Sequence, residues 1–409
     1  MFTPPPLLKR LILLPLLIIA LAIVLPPLFI DPAPQSIISP ARHPAIKTHR
    51  VRLSNNIASH LYDADPFVKV QADALKKTLY SPEALLHTAS SAYLLPEGTV
   101  ITNDHKLLYL GDEAKETLSA KQKNYLRSWW LPKHDTITQT VANLACDEGT
   151  LYENWLFDVL PKIDILRASG QHYDRIFIPQ LKYTFQKDSL SLLGIPEECL
   201  IETLPGSHLL CSQILIPELP EPAFRVSNAN INSQTPTLKE KTPSAIATIR
   251  PSTVAFLREN FPPRKHPAPT PKKLFICAKN EATLFLVNEE ELTEKLLEIG
   301  FVKVYQEDLS FNEQIRLFSQ AQEIISLKRS LLANLVFAQP NTQVMELVGK
   351  DDSTPDHRYI ASFLGIEHQT IYCQHNANTA SGWLPQRGRY AKTGLIAPVE
   401  EIMTLLHNL

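Results

Sequence analysis

The chain has 409 residues, enough for two domains with full cores. Its 44% hydrophobic and 20% charged content is that of a globular protein, and a formal net charge of -2 gives no reason to expect nucleic acid as a partner. With Gly at only 12, phosphate loops built mainly from glycine are disfavoured, and no phosphate-loop motif, nucleophile elbow or His-Glu-x-x-His helix occurs.

Lys9 and Arg10 precede Leu11–Ile30, an apolar run without a charge. A run of that length can span a bilayer as one helix, with Pro26 and Pro27 marking its end and Pro15 an interruption. The expectation is a cytoplasmic tip and transmembrane anchor at 1–30, giving a single-pass membrane protein. A cleaved signal peptide is the alternative. Flanking charges favour a body on the far side of the membrane, blurred by Arg42, His43 and Lys47. No Asn-x-Ser/Thr sequon occurs, which fits a bacterial inner membrane. The five cysteines are scattered and odd in number, with neither a disulfide framework nor zinc spacing. Cys199 and Cys211 are a conceivable pair, although Cys211 and Cys277 sit at strand-like positions and read as small buried hydrophobes.

Residues 31–60 read as a Pro-rich, then polar, stalk, and 61–145 as a small α+β region. Within it AYLLPEGTVITNDHKLLYLG, from Ala92 to Gly111, suggests an antiparallel sheet with tight turns. A first αβ block covers 146–216. Its helix runs from Trp155 to Ala168, kinked at Pro161 and stopped by Gly170. Strands at Arg175–Pro179, CLIET and SQILIP follow, with a helix from Phe185 to Leu193 between the first two. Residues 217–272 form a linker holding one helix, capped by Ser252 and ending near Phe261. A second block, 273–409, alternates strands and helices. Asn288 with Glu291 and Ser310 with Glu313 supply capping patterns, and a short helix spans Ser330 to Phe337. Strand–helix alternation predicts parallel sheets covered on both faces, with ligands at the carboxyl ends of the strands.

Two stretches carry a resemblance. In the first block Trp155, Leu156, Asp158, Leu160, Pro161 and Lys162 match an aromatic, Leu-x-Asp-x-Leu-Pro and basic pattern, with Asn154 at a position where His is expected. LLGIP (Leu192–Pro196) and FLRENF (Phe256–Phe261) follow in order, then Asn288, Glu289, Leu332, Asn334, Phe337, Glu346 and Leu347. In this the chain resembles glycosyltransferase family 61 over roughly its last three quarters. Cys277 and Ala278 replace an expected Ser-Arg, and Lys328, Arg329 and Ser330 replace His-Gly-Ala.

The resemblance implies a GT-B fold: two Rossmann-like lobes facing a cleft, the first on the acceptor side and the second on the nucleotide-sugar side. It implies metal-independent, inverting transfer, with a nucleotide sugar as substrate and no cofactor. The acceptor would be a glycan, lipid or protein. Asp158 is the candidate base or acceptor-orienting group, against a solvated helix carboxylate. Asn154 and Trp155 are acceptor-side candidates, against a helix cap and a core aromatic. Lys328, Arg329 and Ser330, between a strand and a helix, are donor-side candidates for holding a diphosphate, as are Asn334 and Glu346. The Asp63-Ala64-Asp65 triplet reads as chance, so no metal site is expected. Two alternatives stay open: a related fold whose donor site has decayed into a glycan-binding or scaffolding module, and a different nucleotide-binding GT-B enzyme.

Overall fold

The computed structural model describes residues 29–32, 36–53, 83–110, 120–128, 130–206, 208–220, 250–264, 269–277, 279, 284–327, 330–350, 356–376, 383–384, 389–390 and 393–407. The apolar run expected to be an anchor lies outside them, apart from its last residues, which enter a short strand, Phe29–Pro32, paired with Trp130–Pro132. Among the described residues no helix is long and apolar enough to cross a membrane. The Asp63 triplet, Lys328 and Arg329 also lie outside the described residues.

Two sheets organise a mixed α/β, Rossmann-like architecture. Four strands of the nine-stranded first sheet are parallel, in the spatial order Leu200–Glu202, Arg175–Ile178, Asp135–Asn143, Leu209–Glu218. The chain leaves Asp135–Asn143, builds outward through helices to one side, then returns to lay Leu209–Glu218 on the other. That reversal is a topological switch point, where neighbouring crossovers part and leave a crevice. Glu83–Leu94 pairs antiparallel with Leu209–Glu218 and, together with Val100–Ile101 and Lys106–Leu108, forms the expected antiparallel turns.

These N-terminal strands join the same sheet as the first αβ block. Ile46–Arg52, inside the expected stalk, is also one of its strands. Only Ile46 and Val51 are buried in IKTHRVR, so no apolar alternation marks it. The open hydrogen-bonding edge of Glu83–Leu94 recruits it.

Five strands of the seven-stranded second sheet are parallel: Val302–Tyr305, Lys273–Cys277, Glu323–Leu327, Gln343–Gly349, Glu367–His375. Its switch point falls between Lys273–Cys277 and Glu323–Leu327. Thr393–Ile396 and Leu284–Leu286 extend the far edge.

The helices follow local chemistry. Tyr152–Asn154 passes into a π turn, Trp155–Val159, in which the Leu160 amide bonds the Trp155 carbonyl at 3.0 Å. Pro161 explains the widening, because a proline ring clashes with the carbonyl four residues back. Lys162–Ser169 then ends at Gly170, left-handed at φ 64°. Ser310 and Glu313 form the expected capping box. Two other cap expectations are corrected. Pro251 opens the linker helix Pro251–Asn260 behind Arg250, which leaves Ser252 inside the first turn. Asn288 stands at the N-cap of Glu289–Glu298 and donates to Glu291 at 3.3 Å as expected, but its oxygen does not cap the helix backbone: it accepts from the Ala397 N–H at 2.8 Å, while its amide nitrogen also donates to the Ala397 carbonyl at 3.0 Å. The five cysteines are free, with Cys211 and Cys277 buried as expected; the conceivable Cys199–Cys211 pair is not formed.

The linker helix ties the two blocks together. Arg250 pairs with Asp158, and Arg167 donates to Asn260, both toward the first block. Toward the second, Arg258 donates to the carbonyls of Val336 and Ala338, each at 2.7 Å, satisfying the open end of the 3-10 helix Ser330–Phe337. A single apolar cluster runs through Trp155, Leu166, Phe256, Phe311 and Val336.

Gly98 decides how closely the Leu95–Thr99 turn meets the first sheet. Its φ is +77°, and a Cβ there would sit 2.1 Å from the Ala145 carbonyl oxygen. Gly98→Ala is expected to cost at least ~2 kcal/mol, from left-handed strain plus displacement of that carbonyl. A urea unfolding midpoint equal to that of the parent chain would show that the turn is not seated this way.

Candidate functional site

The carboxyl ends of the two parallel strand sets are linked by a buried chain of hydrogen bonds. Tyr152, just beyond the first sheet's Asp135–Asn143 strand, donates its hydroxyl to Asn334 Oδ1 at 2.6 Å. Asn334 Nδ2 donates to Gln314 Oε1 at 3.1 Å, and Gln314 Nε2 to the Leu309 carbonyl at 3.2 Å. Burial pushes the Tyr152 phenol well above its ordinary value, so it stays a donor. Asn334 sits on the 3-10 helix that follows Leu327, the end of a strand at the second switch point. Lys328 and Arg329 bridge that strand and helix in sequence, and Ser330 opens the helix.

Asp158 projects from the π turn with 24% of its side chain exposed, and its Oδ1 lies 3.2 Å from the Arg250 guanidinium. Arg250 Nε also donates to the Pro220 carbonyl at 2.9 Å, so the cation is held from both sides. Asn154 lies within the helical run and makes no capping bond; the helix begins at Tyr152, which corrects the expected start at Trp155. Trp155 is fully buried, with Nε1 donating to Ser189 Oγ at 2.9 Å. It presents no ring face to solvent and fixes the helix that carries Asn154 and Asp158.

Glu346 is 2% exposed beneath the helix Asp356–Leu364. His357 Nδ1 reaches one carboxylate oxygen at 2.5 Å and His368 Nε2 the other at 2.9 Å. The remaining ring nitrogens, His357 Nε2 and His368 Nδ1, are buried without partners. Each imidazole offers the carboxylate one N–H donor. Burial alone would raise the Glu346 pKa; the two imidazoles override it and hold the group at about 2.

A crevice opens at the first switch point. A cavity of about 200 Å³ is lined by Gly98, Asn143, Cys146, Lys162, Ile216 and Pro217, at the ends of Asp135–Asn143 and Leu209–Glu218. Beside it a space of about 510 Å³ runs past Gln180 and Thr203, beyond the ends of the next two parallel strands. Asn143 pins the Leu95–Thr99 turn to the strand end, donating to the Gly98 carbonyl at 2.8 Å. Lys162 donates to the Leu144 and Ala145 carbonyls, each at 3.1 Å. Burial pushes the Cys146 thiol up to about 12, leaving it an unreactive wall. Sequence reasoning missed Glu97, which lines both spaces; Pro-Glu-Gly signalled only a turn. Arg250, His357 and His368 were missed as well, since none belongs to a local pattern. Among the described residues, no group of three or more His, Cys, Asp or Glu is placed to hold a metal ion.

The Glu346 pKa is depressed from 4.5 to about 2, so its contribution is fully present above pH 4.5 and is lost as pH falls toward 2. Glu346→Gln is expected to cost about 3 kcal/mol at pH 7, and much less near pH 2. Denaturant titrations of both proteins across that range check this; a pH-independent difference would contradict it. Tyr152→Phe is expected to cost about 1–3 kcal/mol by leaving Asn334 Oδ1 unsatisfied, read as a lower urea midpoint.

No curated protein matches the chain. Residues 152–345, from the Tyr152 helix to Met345 of the Gln343–Gly349 strand, match the family model described as Glycosyltransferase 61. In that segment the chain is similar to glycosyltransferase family 61.

Proposed function

We propose that the chain moves a sugar from a nucleotide-sugar donor to a hydroxyl of a glycan, lipid or protein acceptor, by a metal-independent, inverting displacement in a GT-B arrangement. The observation that carries this is the family match, which spans both strand-end regions joined by Tyr152 and Asn334. In such a step the acceptor oxygen attacks the anomeric carbon and the bond to the diphosphate breaks. The acceptor proton passes to a base. The departing charge needs cations or helix N-terminal amides.

Each strand-end region suits one task. Asp158, held in direction by Arg250, faces the acceptor side as base or orienting group. The switch point of the second sheet suits the donor. Lys328 and Arg329 follow its Glu323–Leu327 strand directly, and Ser330 and Asn334 belong to the helix beyond. Glu346 is engaged by two histidines and supports that sheet from beneath. The uncharged run at the N-terminus supports a membrane anchor, in a bacterial inner membrane, holding the body near a membrane-bound acceptor.

A second reading has its own observation. Cys277 and Ala278 stand at the end of a switch-point strand where Ser-Arg is expected, which removes a cation from the place where a diphosphate would lie. On that reading the chain is a glycan-binding or scaffolding module.

Thermal unfolding with UDP-, GDP- and CMP-sugars separates the two. A ligand that binds only the folded state stabilises it by about 2.7 kcal/mol at a hundred times its Kd. The expected result is a rise in Tm with one nucleotide class, abolished in the Lys328→Ala, Arg329→Ala double variant. No rise with any of them at millimolar concentration selects the non-catalytic reading.

A further inference from the structure

Glu97 stands at the crevice of the first sheet with half of its carboxylate unsatisfied. The residue is 9% exposed, and its Oε1 is buried without a hydrogen-bond partner. The Tyr125 hydroxyl, from the helix Ala120–Arg127, hydrogen-bonds the carboxylate. Burial pushes the Glu97 pKa up, and burial together with the Glu97 charge pushes the Tyr125 phenol up, so the phenol remains a donor. A buried acceptor without a donor costs free energy, and such groups call for an explanation.

The surroundings fix this carboxylate in place. The Gly98 amide bonds the Leu95 carbonyl and the Leu95 amide bonds the Thr99 carbonyl, each at 2.9 Å, closing the turn that carries Glu97. Asn143 holds that turn to the strand end, and its Oδ1 accepts from the Ala145 amide at 3.2 Å. Glu97 therefore borders both the cavity of about 200 Å³ and the space of about 510 Å³, the larger being of the size that small-molecule sites occupy.

The charge around it selects the ligand. Lys121 is committed to Asp147 at 3.0 Å, and Lys162 to two backbone carbonyls. The far rim carries one residue of each sign, Glu148 and Lys182. An anion would meet the Glu97 carboxylate beside Asp147, with Lys121 already paired to Asp147, whereas a hydroxyl can supply the donor that Oε1 lacks.

We infer that Glu97 is an acceptor-binding residue: its unpaired oxygen receives a hydrogen bond from a hydroxyl of a neutral sugar seated over the carboxyl ends of the first sheet's parallel strands. This rests on the acceptor-side reading of that sheet, and it narrows the acceptor to an uncharged carbohydrate. Asn143 is then a positioning residue, acting through the turn.

The test uses the full-length chain and neutral monosaccharides (glucose, galactose, mannose, xylose, N-acetylglucosamine) at up to about 100 mM, with affinities from saturation-transfer NMR. Nucleotide binding and Tm are followed in parallel. The expected result is that at least one sugar binds the parent chain and that Glu97→Ala weakens it about ten-fold or more, the scale of a hydrogen bond to a charged group. Glu97→Gln, of the same shape, is expected to lose affinity while keeping its Tm and nucleotide binding; it carries the test if Glu97→Ala does not fold. Sugar affinity unchanged in Glu97→Gln, or a lowered Tm as the only effect, would assign Glu97 to holding Tyr125 and overturn the inference. So would a folded parent chain that binds none of the sugars. Glu97-dependent sugar binding without any nucleotide binding keeps this inference and removes the transferase reading.

Discussion

The hydrogen bond from Tyr152 to Asn334 sets the relation between the two parallel strand sets. The apolar cluster around it, from Trp155 through Phe311 to Val336, supplies most of the attraction but no direction, since burial rewards many arrangements about equally. A buried phenol, a carboxamide and a second carboxamide in series can be satisfied in few arrangements, and any slip strands a polar atom. Arginines on the linker helix extend the same logic. Arg258 closes carbonyls on the second block, while Arg250 meets Asp158 on the first. The segment between the blocks is therefore a strut as well as a connection. The Phe-Leu-Arg run at Phe256–Arg258 has a physical task on both sides: Phe256 and Leu257 enter the shared core, and Arg258 reaches the 3-10 helix.

Two buried glutamates show how environment assigns roles to one side chain. Glu346 has a donor on each oxygen and is driven toward the anion. Glu97 has one donor and an empty oxygen, and burial drives it toward the neutral acid. A carboxylate whose lone pairs are spent on imidazoles has little left for a ligand. One that lines a crevice and lacks a donor can still gain a partner.

Much of the fold is legible in the sequence wherever side-chain period and backbone chemistry agree. The Trp155–Ala168 spacing, the stop at Gly170, the Ser310–Glu313 box and the buried strands Lys273–Cys277 and Glu323–Leu327 are of this kind. What escapes is structure made by backbone pairing of polar segments. DTITQTVAN buries only its last three residues, yet it is the strand from which the first sheet is built. The site divides along the same line. Asp158, Asn334 and Glu346 stand out as polar residues in recurrent surroundings. Their partners do not, because Tyr152 and Asn334 lie 182 positions apart and no periodicity reports a contact at that distance.

The departures from the family pattern are unevenly placed. At the first sheet's strand ends the matched residues have visible work: Lys162 binds two strand-end carbonyls, and Trp155 anchors the helix that carries Asp158. At the second sheet's strand ends the departures cluster, at Cys277 and Ala278 and again from Lys328 to Ser330. In sequence, the loss of a cation after one switch-point strand is accompanied by a basic pair directly after the strand paired with it. Charge at a diphosphate site acts over several ångströms and tolerates such relocation better than a bidentate hydrogen bond does. A donor site rebuilt on Lys328 and Arg329 is therefore physically coherent, and the first block, which departs from the pattern at Asn154 while keeping Trp155, Asp158 and Lys162, would serve beside it or alone.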